Sequence, residues 1–503
     1  MEDMAEAFMG IDIGTSGVRA AVFDRKGRQL GLEHVEYPMI CTENDMAELD
    51  PDVVLDSLVK VVKKSLEISE VRAEELEGIG LSTNLFSFMA LDASGGKLTN
   101  IITWADLRSI HQAEEIGSTF DCLQLYNLTG CRVQHPMYPL SNILWLKRKK
   151  PEVFAKAAKF ISLKEYILFK LFGELIIDIT DASTTACFNI HRFTWDDAIL
   201  KEVLEVSPDR FGQPVECTHI LKGMKSEYAA AMGISRETPV IVGSGDGMLA
   251  NYGCGVVDDT SMSCTIGTSG ALRISAGSPL LDLQQRTWCY CFTRDTWVAG
   301  GAINNGGIVL KWLRDEYRKQ YEFEAEAAGI ESIYALFDRY ASEIRPGCDG
   351  LVFLPFLTGE RSPNWNANAR GTLHGLRLMH GRKHFIRAAM EGVMYRMFSV
   401  FEAIGSMGKN PARIIANGGY VNSDIWLQMQ ADIFNREIAV AGVPEAAVFG
   451  AACIAMIGTG ALDGFGARLE CMEPQKVIKP VEGNSFVYKE CYKQYKELYD
   501  RIN

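Results

Sequence analysis

Residues 13–17 and 266–270 of this 503-residue chain spell the same pentapeptide, Ile-Gly-Thr-Ser-Gly, in the contexts GIDIGTSGVRAAVFD and CTIGTSGALRIS. Glycine tolerates positive φ, so such a turn lets backbone N–H groups converge while Thr and Ser add two hydroxyl donors. The result is a concavity suited to phosphate oxygens. One isolated copy reads most simply as a tight hairpin; two copies, one in each half, point to phosphate held from two sides. Between them lies Asp246, in PVIVGSGDGMLA, at the end of an apolar run and flanked by glycines. Transfer of a phosphoryl group to an alcohol needs an acceptor for the hydroxyl proton, while N–H donors and cations neutralise the phosphate. Asp246 suits that role, and the plainer alternative is a cap for the helix that follows.

Rival chemistries leave weaker traces. There is no G-x-x-x-x-G-K-[ST], which excludes a P-loop. GDGMLA at residues 245–250 fits a G-x-G-x-x-A dinucleotide fingerprint and supports a dehydrogenase reading. Such a site, however, opens a βαβ unit with an acid about twenty residues on, and here the second GTSG turn comes next. The close pair Cys289 and Cys291 has no neighbouring His, so alternation within a strand explains its spacing better than a metal does.

The elements that must hold these groups follow from pattern. Residues 8–13, 18–24 and 29–37 read as strands, turned at residues 14–17 and at Lys26-Gly27. Asp50 offers an N-cap with Pro51 at the first helical position, and Val54, Leu58, Val61, Val62 and Leu66 line one helix face. Another strand follows at 78–82. The second half restarts with strands at 261–266 and 271–275, the strand WVAGG, a helix over 307–318 and a long amphipathic helix through Phe385, Ala389, Val393, Met397 and Phe401. The expectation is an α/β protein of two domains with similar topology, 1–249 and 250–503, each presenting one turn to a shared cleft.

Composition narrows the setting. A net charge of −13 argues against nucleic acid as a partner, and the one basic run, Lys147 to Lys150, suits the C-terminal end of a helix. The apolar stretch 446–462 is rich in Gly and Ala and shorter than the ~20 residues of a membrane span, so it reads as a buried helix. Residues 1–9 carry acids rather than a basic signal-peptide region, and thirteen scattered cysteines suit a reducing compartment. A cytoplasmic location is expected.

With these pieces placed, the chain resembles the FGGY carbohydrate kinases of the actin and hexokinase superfamily. GIDIGTSGVRAAVFD is similar to the family's first phosphate loop, GSGDGM to its catalytic aspartate segment, TIGTSG to its second phosphate loop, and GGYVNSDIWLQMQADIFNREI to its C-terminal signature. The resemblance implies two ribonuclease-H-like domains with ATP and a sugar in the cleft between them. It implies Asp246 as general base and Asp12 as the residue that holds Mg²⁺ through water. Gly14, Thr15, Ser16, Arg19, Gly267 and Thr268 would line the phosphates, with Gly307, Gly419 and Ser423 bordering the nucleotide. A homodimer is one assembly open to such a chain.

Within the family, TWADLRS, WVAGGAINNGGIVLKWLRDEY and GERSPNWNANARGTLHGL look most like the gluconate kinase branch, with the xylulokinases next. Leu85, Phe86, Trp104, Asp106 and Arg108 are then the expected substrate-side residues beside Asp246. Arg108 is the expected partner of a sugar-acid carboxylate. Two positions depart from the family pattern: Asn142 stands where a Lys is usual, and Leu85-Phe86 replaces a Met-His pair. The second change removes an imidazole that would pair with a sugar hydroxyl and makes that wall apolar, which favours a less hydroxylated or ketose substrate. An actin-like ATP-binding module that phosphorylates nothing small is the non-enzymatic alternative, since fold alone does not decide function.

Overall fold

The computed structural model describes residues 6–42 and 45–503. The acidic stretch at residues 1–9 therefore falls partly outside the described residues. Glycine turns set the first hairpins: the strands Ala7–Ile13, Gly17–Asp24 and Gln29–Glu36 run antiparallel in sequence order. Every residue of Ala7–Ile13 is buried, as befits a central strand covered on both faces. The helix Pro51–Ser69 starts where capping chemistry places it, Asp50 accepting from the Asp52 N–H, and buries Val54, Leu58, Val61, Val62 and Leu66.

Two sheets organise the molecule. The first has six strands in the order Ile220–Leu221, Val240–Gly245, Leu76–Thr83, Ala7–Ile13, Gly17–Asp24, Gln29–Glu36. The second has seven: Trp288–Thr293, Thr296–Ile303, Gly270–Ala276, Ser261–Ile266, Arg413–Asn417, Glu437–Val440, Lys476–Ile478. Each contains the same unit. Ala7–Ile13 pairs antiparallel with the strand after its GTSG turn and parallel with Leu76–Thr83, and Ser261–Ile266 pairs likewise with Gly270–Ala276 and Arg413–Asn417.

Two helices pack across the two halves of the chain. The helix Ala446–Thr459, from the C-terminal half, lies on the first sheet, so close that a Cβ on Gly10 would stand 1.9 Å from the Val448 carbonyl oxygen and one on Gly80 1.9 Å from that of Ala451. In return the helix Asp246–Gly253 reaches the second sheet, where Asn251 accepts from the Ser263 hydroxyl (2.7 Å) and donates to that of Ser275 (3.0 Å). The two exchanged helices meet at Gly450, whose Cβ would fall 2.2 Å from the Leu249 carbonyl oxygen. Asp246 opens one of them and so sits where the lobes join.

Smaller expectations fare as follows. The basic run ends the helix Pro139–Lys149. The helix expected over 307–318 stops at Glu316, and a second, Arg318–Ala327, begins there. Cys289 and Cys291 are buried in a strand, and all thirteen cysteines are free thiols. Asn142 is buried, its amide donating to the Tyr138 carbonyl (3.4 Å). Among the described residues, no helix is long and apolar enough to cross a membrane.

Candidate active site

The first turn is closed by the Gly14 N–H donating to the Gly17 carbonyl (2.9 Å), and the Tyr37 hydroxyl pins it from below at the carbonyls of Gly14 (2.6 Å) and Gly17 (3.2 Å). That leaves the Thr15 and Ser16 side chains at the open side; Thr15 Oγ1 accepts from the Trp104 indole N–H (2.9 Å). The second turn is held differently. The Gly267 carbonyl accepts from the Gly307 N–H (2.7 Å), and that of Thr268 from Gly306 (3.1 Å) and Ile308 (3.2 Å). A Cβ on Gly307 would stand 2.7 Å from the Gly267 oxygen, so only glycine permits this approach. The turn thereby docks at the start of the helix Ile308–Glu316, whose N-terminal field favours anions.

Two cavities adjoin these turns. One, of about 480 Å³, brings together Gly267, Thr268, Gly307, Gly419 and Ser423. Ser423 caps the helix Asp424–Phe434 and donates to Asp338 Oδ1 (2.6 Å), so its hydroxyl is already engaged. The other, of about 260 Å³, is shared by both lobes: Thr15 and Trp104 from one, Ser269 and Arg273 from the other, with Asp246 among its walls. Leu85 and Phe86 also line it. Phe86 holds φ at 66°, a strained value for an aromatic residue, and packs edge-on against Tyr138 and Tyr290.

Asp246 has the electrostatics of a base. Burial, then the nearby negative charge of Asp12, raise its carboxyl to about 6, against the pull of Arg273 and of the Gly247 N–H donating to Oδ1 (2.6 Å). Among the described residues, its other oxygen has no hydrogen-bond partner. Asp12 is buried and raised as well, chiefly by desolvation, while the Ser82 hydroxyl donating at 2.6 Å and the charge of Arg19 oppose the shift. Arg19 lies opposite Asp12 in the strand pairing. Asp12 and Asp246 lie at the ends of two strands of one sheet, and neighbouring carboxylates whose charges repel are a donor set that suits a divalent cation beside phosphate. Among the described residues, no group of three or more His, Cys, Asp or Glu could hold a metal.

Asp106 and Arg108 are not brought to this cavity. Asp106 is fully buried and accepts from the Ala47 N–H (2.7 Å); Arg108 is forked onto Asp106 (2.6 Å) and Glu48 (2.7 Å), with its guanidinium 5.1 Å from the Trp145 ring centre. This arginine ties the loop 103–109 to the strand before the first helix, and its charge is spent there. The cations that do line the cavity are Arg273 and Arg361, with Trp288, Tyr290 and Trp365 as its aromatic walls. The one trace of Arg273 in the sequence is a lone cation within the apolar strand GALRISA.

The FGGY family of carbohydrate kinases, N-terminal domain, matches residues 7–253, and its C-terminal domain matches residues 262–459. The chain belongs to the FGGY family of carbohydrate kinases. Among similar FGGY proteins are the gluconokinase of Bacillus subtilis (strain 168), 36% identical over 97% of this chain and 94% of its own length, and that organism's xylulose kinase, 28% identical over 98% and 96%. The crystal structure of gluconate kinase from Lactobacillus acidophilus superposes with a TM-score of 0.92 at 30% identity, covering 99% of this chain and 98% of that one. The FGGY chain described here is thus a phosphotransferase acting on a carbohydrate, on the two-domain actin- and hexokinase-like fold. GDGMLA accordingly belongs to a kinase and not to a dinucleotide fold, and the purely structural actin-like reading falls away.

Proposed function

We propose that this kinase transfers the γ-phosphoryl group of ATP to the primary hydroxyl of a sugar acid, gluconate foremost, giving 6-phosphogluconate and ADP. The observation that carries this reading is Asp246: a carboxyl held near pKa 6 in a cavity walled by both GTSG-bearing lobes. The sugar hydroxyl oxygen attacks the γ-phosphorus, the bond to the β-bridging oxygen breaks, and the hydroxyl proton passes to the free oxygen of Asp246. The Thr15 and Thr268 turns present donors to the phosphates from opposite lobes, and closure of the cleft excludes water. Gly14, Ser16 and Arg19, beside Thr15 on the same hairpin, would face the phosphates with it. The larger cavity, bordered by Gly307, Gly419 and Ser423, takes the rest of the nucleotide. Asp12 would hold Mg²⁺ through water, and the ion, when bound, neutralises phosphate charge.

On this reading residues 1–249 supply the sugar side and residues 250–503 the nucleotide side. The similarity to gluconokinases at 36% and 38% identity supports the sugar acid. The apolar Leu85 and Phe86 in the cavity wall favour a second reading, a xylulose or other ketose or polyol kinase. Coupled ADP release across gluconate, xylulose, glycerol and related polyols decides between them. Gluconate is expected to raise ADP release most, and a higher kcat/KM for a neutral ketose would move the assignment to the second reading.

A further inference from the structure

Charge in the smaller cavity is unbalanced. Asp246 is the one carboxylate among its lining residues, against the guanidiniums of Arg273 and Arg361. Arg273 belongs to the base: a Cβ on Gly247, the residue after Asp246, would stand 2.9 Å from Arg273 Nε, and the two side chains attract. Among the described residues, Arg361 has no such counterpart. Its Nε donates to the Asn304 side-chain oxygen (2.7 Å) and one Nη approaches the Ile303 carbonyl at 3.5 Å, both neutral acceptors. Across the cleft its guanidinium stands 5.5 Å from the centre of the Trp104 ring. Burial and the neighbouring charge of Arg273 weaken its hold on its proton, to about 10, so it remains a cation at neutral pH.

A partly buried cation without an anion is costly, and the cost is recovered when a ligand supplies the anion. The free Nη edge of a guanidinium fixed through Nε is a fork that matches a carboxylate. In a chain of net charge −13, an anionic substrate also needs such a local cation to offset the background field. We propose that Arg361 selects a sugar acid over a neutral sugar, its guanidinium taking the substrate carboxylate while the hydroxyl to be phosphorylated lies at Asp246. This rests on the kinase reading above and moves carboxylate recognition from Arg108, already paired, to a residue of the opposite lobe.

Gluconamide, which keeps every hydroxyl of gluconate and replaces the carboxylate by a neutral amide, is the probe. The wild-type enzyme should prefer gluconate to gluconamide by about 100-fold or more in kcat/KM, as expected where a site pairs with a charged group. Arg361→Gln should reduce that ratio below about 5-fold, mainly through KM for gluconate, with KM for ATP unchanged. Arg361→Lys, which keeps the charge and loses the fork, should fall between. The inference is overturned if the wild type treats the two compounds alike, a comparison needing no variant to fold. It is equally overturned if Arg361→Gln keeps the preference, or if KM for ATP rises in step with that for gluconate. Turnover of a neutral ketose but of neither gluconate nor gluconamide sinks this inference and leaves the kinase reading intact, whereas no sugar-dependent ADP release with any of them sinks the kinase reading itself.

Discussion

As the proposed base, Asp246 must meet two opposed demands, to be ionised at neutral pH and still to be basic enough to take a hydroxyl proton. Burial and the Asp12 charge push its carboxyl up, Arg273 and the Gly247 N–H hold it back, and the balance falls at about 6. Because the base works only when ionised, activity is lost as pH falls through that value. The expected pH profile of kcat/KM for the sugar is therefore flat above about pH 7 and declines with unit slope below about pH 6; a profile flat down to pH 5 contradicts the assignment. The placement of Asp246 at a strand end and of the two threonines in turns was legible in the sequence from their flanking glycines. Arg361 was not, because an arginine's availability depends on which acids the fold brings to it. Glu48 and Asp106 claim Arg108, whereas Asn304 merely orients Arg361.

Strands and helices with local signals were read well: the hairpins at glycine turns, and the Asp50-capped helix with its apolar face. The helix Ala446–Thr459 was read as buried from its Gly- and Ala-rich composition, but nothing local said against which sheet. That partner is chosen by Gly10 and Gly80, far away in sequence, whose missing side chains let the helix backbone rest on the strands. Gly80→Ala must therefore push a helix off a sheet rather than displace one flexible side chain. A loss of about 3 kcal/mol is expected from overpacking at this contact, read as a lowered midpoint in urea unfolding; a midpoint within error of wild type would show that the contact yields easily. Because the helix packs against the one that Asp246 opens, sugar-dependent turnover should fall with it.

At the scale of the molecule, the duplicated strand unit accounts for the repeated turn, and on the proposed reading each sheet brings one phosphate-facing edge to a common cleft. Duplication was visible in the repeated pentapeptide, whereas the exchange of helices between lobes, which places Asp246 at the junction, exists only in three dimensions. The arrangement divides the work. On the proposed reading, nucleotide surfaces gather around the second turn and the helix Ile308–Glu316, and the proton acceptor sits across the cleft from them, at the end of a strand of the first sheet. Removing the acceptor should thus separate binding from chemistry. The decisive measurement is sugar-dependent ADP release by Asp246→Asn beside its affinity for ATP. The account predicts turnover lower by about 100-fold or more with the ATP dissociation constant within about threefold of wild type; a variant that keeps a tenth of the turnover contradicts it.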